Sequence, residues 1–455
     1  MKTTKKILAL LLAVVMMLTL FVGCGKKAEE AEQGSEVFTG HHTNAHDLPS
    51  FSIHYTDTAD GPVYDYMNEA GETVSVTQEE VDVLLDTVIA TCGDYTLTNR
   101  DLAYYYQEQY YQFYQVYGFY MMLLMDTTKG LDEQLGTDGA HTWQYMFAEA
   151  GVNMFHSMSA ATMEAIANDF DMTEAEQIVE NVRIDVEESA AQVGYTDLDA
   201  FVVDYFGPGA TLDSYLEFSR INAIANAYAN YLKELVEVDE GEIDAYWAEN
   251  EESLTQSGIQ KIDKNVVDVR HILVEVEKTT DEEGNEVATD EAWAAAEAEA
   301  NEIYNAWLSG EATEDSFAAL ATERTDDAGS AETGGLYEDV HPGQMVEEFD
   351  AWCFDDSRQV GDTAIVKTTF GYHIMFFSGE GDYIYWRNEV ESAIRTSAVN
   401  KQLEAMAEKY PMESDLNKAV LMDSTAPSVP TAEEETAEDA VVEEHVHTEG
   451  DGHNH

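Results

Sequence analysis

From about Glu79 to Asn250, apolar residues recur at three- and four-residue intervals, broken by turn signals at Gly93-Asp94 and Gly207-Pro208-Gly209. This spacing predicts a set of helices. After Thr211-Leu212-Asp213, the residues Tyr215, Leu216, Phe218, Ile221, Ile224, Ala225, Tyr228, Tyr231 and Leu232 form the single stripe of a long amphipathic helix. Asp239, ahead of Glu240 and Glu242, reads as the N-cap of the next one. Leu102 to Met125 is different. Tyr104, Tyr105, Tyr106, Tyr110, Tyr111, Phe113, Tyr114, Tyr117, Phe119 and Tyr120 surround a helix that runs on into Met121, Met122, Leu123, Leu124 and Met125. A helix apolar all round is either core or an adhesive face, and both readings stay open. Helical spacing resumes from Tyr385 to about Leu421, with Val390, Ile394, Leu403 and Met406 on one side.

Between these helical stretches the period changes to two. Val267-Asp268-Val269-Arg270-His271-Ile272-Leu273-Val274 alternates charged and apolar positions as a strand with one buried face does. Thr363 to Phe377 reads as two strands around a glycine turn, with His373 near the start of the second. Helices are expected from about Asp290 to Leu308, around Ser316 to Glu323 and near Val346 to Phe354, with a Gly-rich loop at Gly334-Gly335. The fold class predicted is α+β: a largely helical domain built from the N- and C-terminal flanks, with a small antiparallel sheet surrounded by helices inserted between them.

The ends of the chain add a location. Lys2, Lys5 and Lys6 precede an uncharged, apolar run from Ile7 to Val22 with Thr19 as its one polar residue, short of the roughly 20 residues a spanning helix needs. Leu20-Phe21-Val22-Gly23-Cys24 resembles a bacterial lipobox, which implies cleavage before Cys24, lipidation of its thiol and a protein anchored to the outer face of the bacterial cell membrane. Cys92 and Cys353 then remain, either as one bridge or as two buried thiols. Removing the leader takes away three lysines and no acids, moving the net charge from −69 to about −72. So acidic a chain is not suited to nucleic acid or to anionic headgroups, but it attracts basic partners. With 44% apolar residues and 25 tyrosines it can still bury a sizeable core. Residues 24–78, rich in polar residues, read as a tether, and the acidic tail 423–455 as disordered. His41, His42, His46 and the histidines of the tail either capture a metal ion or are simply solvated; no metal or cofactor is assigned.

The residues of the middle segment carry a family resemblance. Arg270-His271-Ile272-Leu273-Val274, Phe317-Ala318-Ala319-Leu320-Ala321, Thr325-Asp326-Asp327, Gly334-Gly335-Leu336, Gly343-Gln344-Met345-Val346-Glu347-Glu348-Phe349 and Phe370-Gly371-Tyr372-His373-Ile374 resemble, in order and near spacing, the parvulin-type peptidyl-prolyl cis/trans isomerases. The whole layout looks like the extracytoplasmic foldases of the PrsA and SurA type. The resemblance implies a leader at 1–23, a helical chaperone domain at 79–265 completed by 381–422, and an isomerase domain at 266–380. It also implies that the partners are unfolded or partly folded secreted proteins with X-Pro bonds, and that two copies pair through their helical arms.

By the same resemblance His271 and His373 are paired imidazoles, with Thr368 completing their hydrogen-bond network and Asp327 acting electrostatically where some members have cysteine and others aspartate. Met345 and Phe349 form an apolar proline pocket, with Leu336 at its edge and Phe370 closing it. Four residues apart, Met345 and Phe349 share a face if both are helical. The loop after Val274 offers one Lys278 among acids, which does not suit a phosphate. Gly335-Leu336-Tyr337-Glu338 lacks the acid usual between glycine and leucine. The alternative activity is that of a holdase, a lipoprotein whose weakly catalytic module grips exposed segments.

Overall fold

The computed structural model describes residues 42–43, 49–58, 61–67, 73–126, 128–280 and 284–423. The leader, Cys24, His41, His46 and the histidines of the tail lie outside the described residues. No helix among the described residues is long and apolar enough to cross a membrane. The chain divides into two compact units, residues 1–235 with 399–455, and residues 236–398.

In the first unit the aromatic run is split. Asn99–Tyr117 is a helix whose Leu102, Tyr104, Tyr105, Tyr106 and Tyr110 are buried. Tyr104 meets Phe206 edge-on at 4.8 Å, and Tyr105 meets Phe218 at 4.7 Å. Opposing helices Trp143–Ala167 and Leu212–Leu235 supply Phe147, Phe155, Tyr215 and Phe218 to the same core. Beyond Tyr110 the run has two sides: Met121 and Met125 are buried in the same core with Phe113 and Tyr114 packed on it, while Val116, Tyr117, Tyr120, Leu123 and Leu124 are exposed. The first turns of the run are core, and its later turns divide between core and an exposed apolar face.

Two expectations are corrected here. Much of the supposed tether is sheet. Ser52–Thr58, Gly61–Met67 and Thr73–Val76 pair antiparallel in sequence, and Leu421–Asp423 adds parallel to the first of them. Ile53, Tyr64 and Val76 are buried against Val81, Leu84, Leu85 and Val420. Their alternation is spread thinly among Thr, Asp and His, so composition suggests a linker where the period of two specifies strands. Nor does the C-terminal helix reach Leu421. It ends at Lys409, because Pro411 removes a backbone donor and pushes Tyr410 out of the α region. Met412–Ser414 then pairs with Val88–Cys92, so that strands from both flanks close this unit, and Asp423, assigned to the tail, lies in a strand.

The second unit begins earlier and ends later than 266–380. A helix at Glu240–Gln256 (α1) opens with Asp239, whose carboxylate accepts from the Glu242 amide at 2.9 Å while Glu242 reaches back to the Asp239 amide. Its Ile243 and Trp247 pack with Trp386 and Val390. The four-stranded sheet comprises Asn265–Glu275 (β1), Leu336–Val340 (β2), Thr363–Lys367 (β3) and Gly371–Ile384 (β4), in the order β2-β1-β4-β3 and antiparallel throughout. Alternation gives it two faces. Ile272, Val274, Tyr372, Ile374 and Phe376 point to the helices Asp290–Ser309 (α2) and Glu314–Arg324 (α3), where they bury Ala300, Ile303, Trp307 and Phe317. Val267, Val269, Met375 and Phe377 point the other way and pack with Phe349 and Cys353 of the short helix Glu347–Cys353 (α4). A small hairpin, Thr279–Thr280 with Glu286–Val287, fills the loop after β1; its residues 281–283 lie outside the described ones.

Candidate active site

His271 and His373 lie on the α4 face of the two central strands, β1 and β4. Burial here is nearly complete, with His271 at 3%, Thr368 at 3% and His373 at 6% exposure. The two Nδ1 atoms are 3.1 Å apart, and the rings stack with centroids 5.3 Å apart. At one end Thr368 Oγ1 lies 2.9 Å from His373 Nε2; at the other, Asp327 Oδ2 lies 3.0 Å from His271 Nε2. The four polar residues singled out from the sequence thus form one continuous chain: Asp327, His271, His373, Thr368.

The local backbone explains how the chain is held. Gly335, just before β2, has φ +74°, and a Cβ there would stand 2.2 Å from the His271 carbonyl oxygen. Its own carbonyl accepts from the His271 amide at 2.8 Å, so only glycine lets this turn lie against β1. The Thr325 hydroxyl accepts from the amides of Leu273 and Asp327, fixing the loop that carries the acid. The turn from Thr368 to Gly371 closes with a Thr368 amide to Gly371 carbonyl bond of 2.9 Å, and the Phe370 amide donates to Thr368 Oγ1.

Electrostatics follow from burial. Desolvation lowers the His271 pKa against the opposing pull of Asp327, and desolvation with the neighbouring His271 pushes His373 down to about 4. Both rings are therefore neutral near pH 7, and the contact with Asp327 is a hydrogen bond to a carboxylate rather than an ion pair. Burial raises Asp327, but the Ser330 and Tyr337 hydroxyls and the His271 ring outweigh it and bring it down to about 2. Cys353, the last residue of α4, is buried, and desolvation pushes its thiol up to about 12. Both Cys92 and Cys353 are free and buried.

The apolar residues are distributed less simply. Phe349 is buried and presents its edge to both imidazoles, at 5.5 Å from His271 and 5.3 Å from His373. Met345 packs on the same cluster, half-buried, but it precedes α4 rather than belonging to it. The reason is a turn in which Gly343, at φ +84°, donates its amide to Asp350 and delays the helix to Glu347. Leu336 pairs with Arg270, whose guanidinium reaches Glu314 of α3, so Leu336 turns to the opposite face. Its neighbour Tyr337 takes the inner place, stacked on His271 at 5.0 Å and donating its hydroxyl to Asp327 at 2.8 Å. Phe370 stands at the turn, 48% exposed.

Sequence reasoning missed Tyr337 and Ser330. Tyr337 faces inward because it pairs with Val269, a non-local register that local spacing does not reveal. Ser330 closes on Asp327 from three residues along the chain, and its hydroxyl also lies 3.2 Å from His271 Nε2. No sequence period marks it.

The site offers a directional chain of hydrogen bonds, two neutral imidazoles anchored on the Asp327 carboxylate, beside the apolar wall of Phe349. Residues 271–378 match the rotamase family, described as a PPIC-type PPIASE domain. The segment is thus a parvulin-type peptidyl-prolyl cis/trans isomerase domain.

Two curated relatives place it further. "Foldase protein PrsA 3" of Bacillus cereus is 31% identical over 159 residues, 35% of this chain and 47% of its own length. "Chaperone SurA" of Hahella chejuensis is 38% identical over 110 residues, 24% of this chain and 21% of its own. The chain spans about half the length of the first curated relatives it matches, 47% in each case. The crystal structure of PrsA from Bacillus subtilis covers 60% of this chain and 88% of its own at 20% identity, with a TM-score of 0.24.

Proposed function

We propose that the protein is a peptidyl-prolyl cis/trans isomerase and chaperone that assists the folding of secreted proteins at the outer face of the bacterial membrane, held there by a lipid on Cys24. The observation that carries this reading is the buried Asp327–His271–His373–Thr368 chain walled by Phe349. An X-Pro bond resists rotation by about 18–20 kcal/mol because resonance gives the C–N bond double-bond character. At the twisted state conjugation is lost and the prolyl nitrogen becomes pyramidal and more basic. A site that grips the ring on Met345 and Phe349, excludes water and directs fixed dipoles at the twisted amide stabilises that state selectively, gaining tenfold in rate per about 1.36 kcal/mol. His271, His373, Thr368 and Asp327 supply the dipoles, and Phe370 covers the pocket from the turn.

A holdase reading is favoured by one observation, the exposed Val116, Tyr117, Tyr120, Leu123 and Leu124 of the first unit. The clients in either case are unfolded or partly folded secreted chains, and pairing of two copies through the helical arms belongs to the same proposal. The two activities separate in one experiment. Refolding of a proline-limited client and aggregation of a proline-free client are followed with the chain from Gly25 and with His373→Ala. Loss of the first effect with retention of the second establishes isomerase and holding functions at separate places. Equal suppression of both effects, or no effect of the parent on refolding, defeats the isomerase reading.

A further inference from the structure

We infer that Tyr337 is a positioning residue that sets the direction of the hydrogen-bond chain through both imidazoles, an inference that rests on the isomerase reading of this site. Its phenol is fixed at two points. The ring lies over His271, 20° from parallel with centroids 5.0 Å apart, and the hydroxyl donates to Asp327 Oδ2 at 2.8 Å. Backbone pairing makes this geometry rigid, since Tyr337 lies opposite Val269 on β1, and the Gly335 carbonyl two residues earlier holds the His271 amide.

Asp327 Oδ2 is the meeting point of three groups: the hydroxyls of Ser330 and Tyr337 and Nε2 of His271. A carboxylate oxygen only accepts, so all three must donate. His271 is therefore the Nε2–H tautomer and its Nδ1 is bare. The bare Nδ1, 3.1 Å from His373 Nδ1, requires a proton on the latter; His373 Nε2 is then bare and accepts from the Thr368 hydroxyl. One choice at Asp327 thus orients every dipole as far as Thr368, whose oxygen accepts from the Phe370 amide. The reverse arrangement would set a bare His271 Nε2 against the carboxylate, lone pair to lone pair, unless Asp327 takes a proton or the Ser330 hydroxyl, 3.2 Å from that nitrogen, turns away from Asp327 to donate to it.

The Tyr337 hydroxyl opposes that alternative in two ways. It stabilises the ionised carboxylate, and its ring prevents His271 from turning away. Titratable groups facing Asp327 are His271 from β1, Tyr337 from β2 and, through His271, His373 from β4. Desolvation and the Asp327 contact raise the Tyr337 pKa to about 12, so the phenol remains a donor throughout the working range.

Tyr337→Phe keeps the ring and removes the donor; Tyr337→Leu removes both. In the chain from Gly25, long-range proton–nitrogen correlation spectra of the imidazoles, assigned with His271→Gln and His373→Gln, report each tautomer directly. The parent is expected to show His271 as Nε2–H and His373 as Nδ1–H at pH 7. Tyr337→Phe is expected to show mixed tautomers at both rings and about a tenfold lower kcat for prolyl exchange with KM unchanged, the scale of one hydrogen bond to a charged group. Single, unchanged tautomers together with an unchanged kcat in Tyr337→Phe would overturn the inference, as would the opposite tautomers in the parent. If Tyr337→Leu does not fold, the isosteric Phe variant decides alone. A parent that does not accelerate exchange counts against the isomerase reading, and the tautomer spectra still decide the role of Tyr337.

Discussion

Acidification should loosen the isomerase sheet well above the pH at which carboxylates titrate. Native His373 holds a proton only below about 4, because burial and its neighbour His271 penalise the charged ring. An unfolded imidazole takes one below about 6.5. Between these values unfolding takes up a proton, so stability rises with pH. The contribution of His373 is complete above 6.5 and lost as pH falls to 4, about 3 kcal/mol at about 1.36 kcal/mol per pH unit. His271, lowered mainly by burial, acts in the same sense. Asp327, at about 2, adds its share only below the ordinary carboxylate range near 3.9, outside this window. Hydrogen exchange of peptides covering 371–377, corrected for intrinsic exchange, reads the opening free energy of β4 in the intact chain. Protection is expected to be level from pH 8 to about 6.5 and to fall steeply towards 4.5. His373→Gln, which cannot titrate, should flatten that fall. A level profile in the parent, or the same slope in the variant, would refute buried neutral imidazoles.

Three further outcomes follow from particular contacts. Gly335→Ala forces a side chain into left-handed backbone and against the His271 carbonyl, and it should cost at least about 2–3 kcal/mol of isomerase-unit stability, read by the same exchange method. Phe317→Ala empties a fully buried position between Trp307 and Phe376 and should cost about 3–5 kcal/mol in the second unit, while exchange in the helix Trp143–Ala167 stays unchanged. In the chain from Gly25, Cys92 and Cys353 should react with a thiol reagent only after denaturation, and without prior reduction; immediate reaction, or none even when denatured, would contradict two buried thiols.

Much of the second unit could be read in the chain because its signals are local and redundant. The alternation of Val267, Val269 and His271 on one face against Ile272 and Val274 on the other fixes the orientation of β1, and the Asp239 cap marks α1 three residues after the unit boundary at Val236. Positions set by non-local register were harder. Whether Leu336 or Tyr337 faces the imidazoles depends on which of them pairs with Val269, and that is decided by the turn at Gly334-Gly335. The strands at Ser52–Thr58 and Leu421–Asp423 pair with each other across more than three hundred residues, a contact with no counterpart in local sequence. The Tyr-rich run holds its buried and its exposed side chains in one composition, and neighbours such as Phe147, Phe155 and Phe218 select the buried ones.

Acceleration of X-Pro rotation by the imidazole chain and its apolar wall is open to direct assay. Exchange spectroscopy on a short unphosphorylated X-Pro peptide, with the chain from Gly25 and with His271→Ala, His373→Ala and Met345→Ala, measures it directly. The parent is expected to accelerate exchange and all three folded variants to do so less; no acceleration by the folded parent, or acceleration undiminished in the variants, would contradict an isomerase site at these residues.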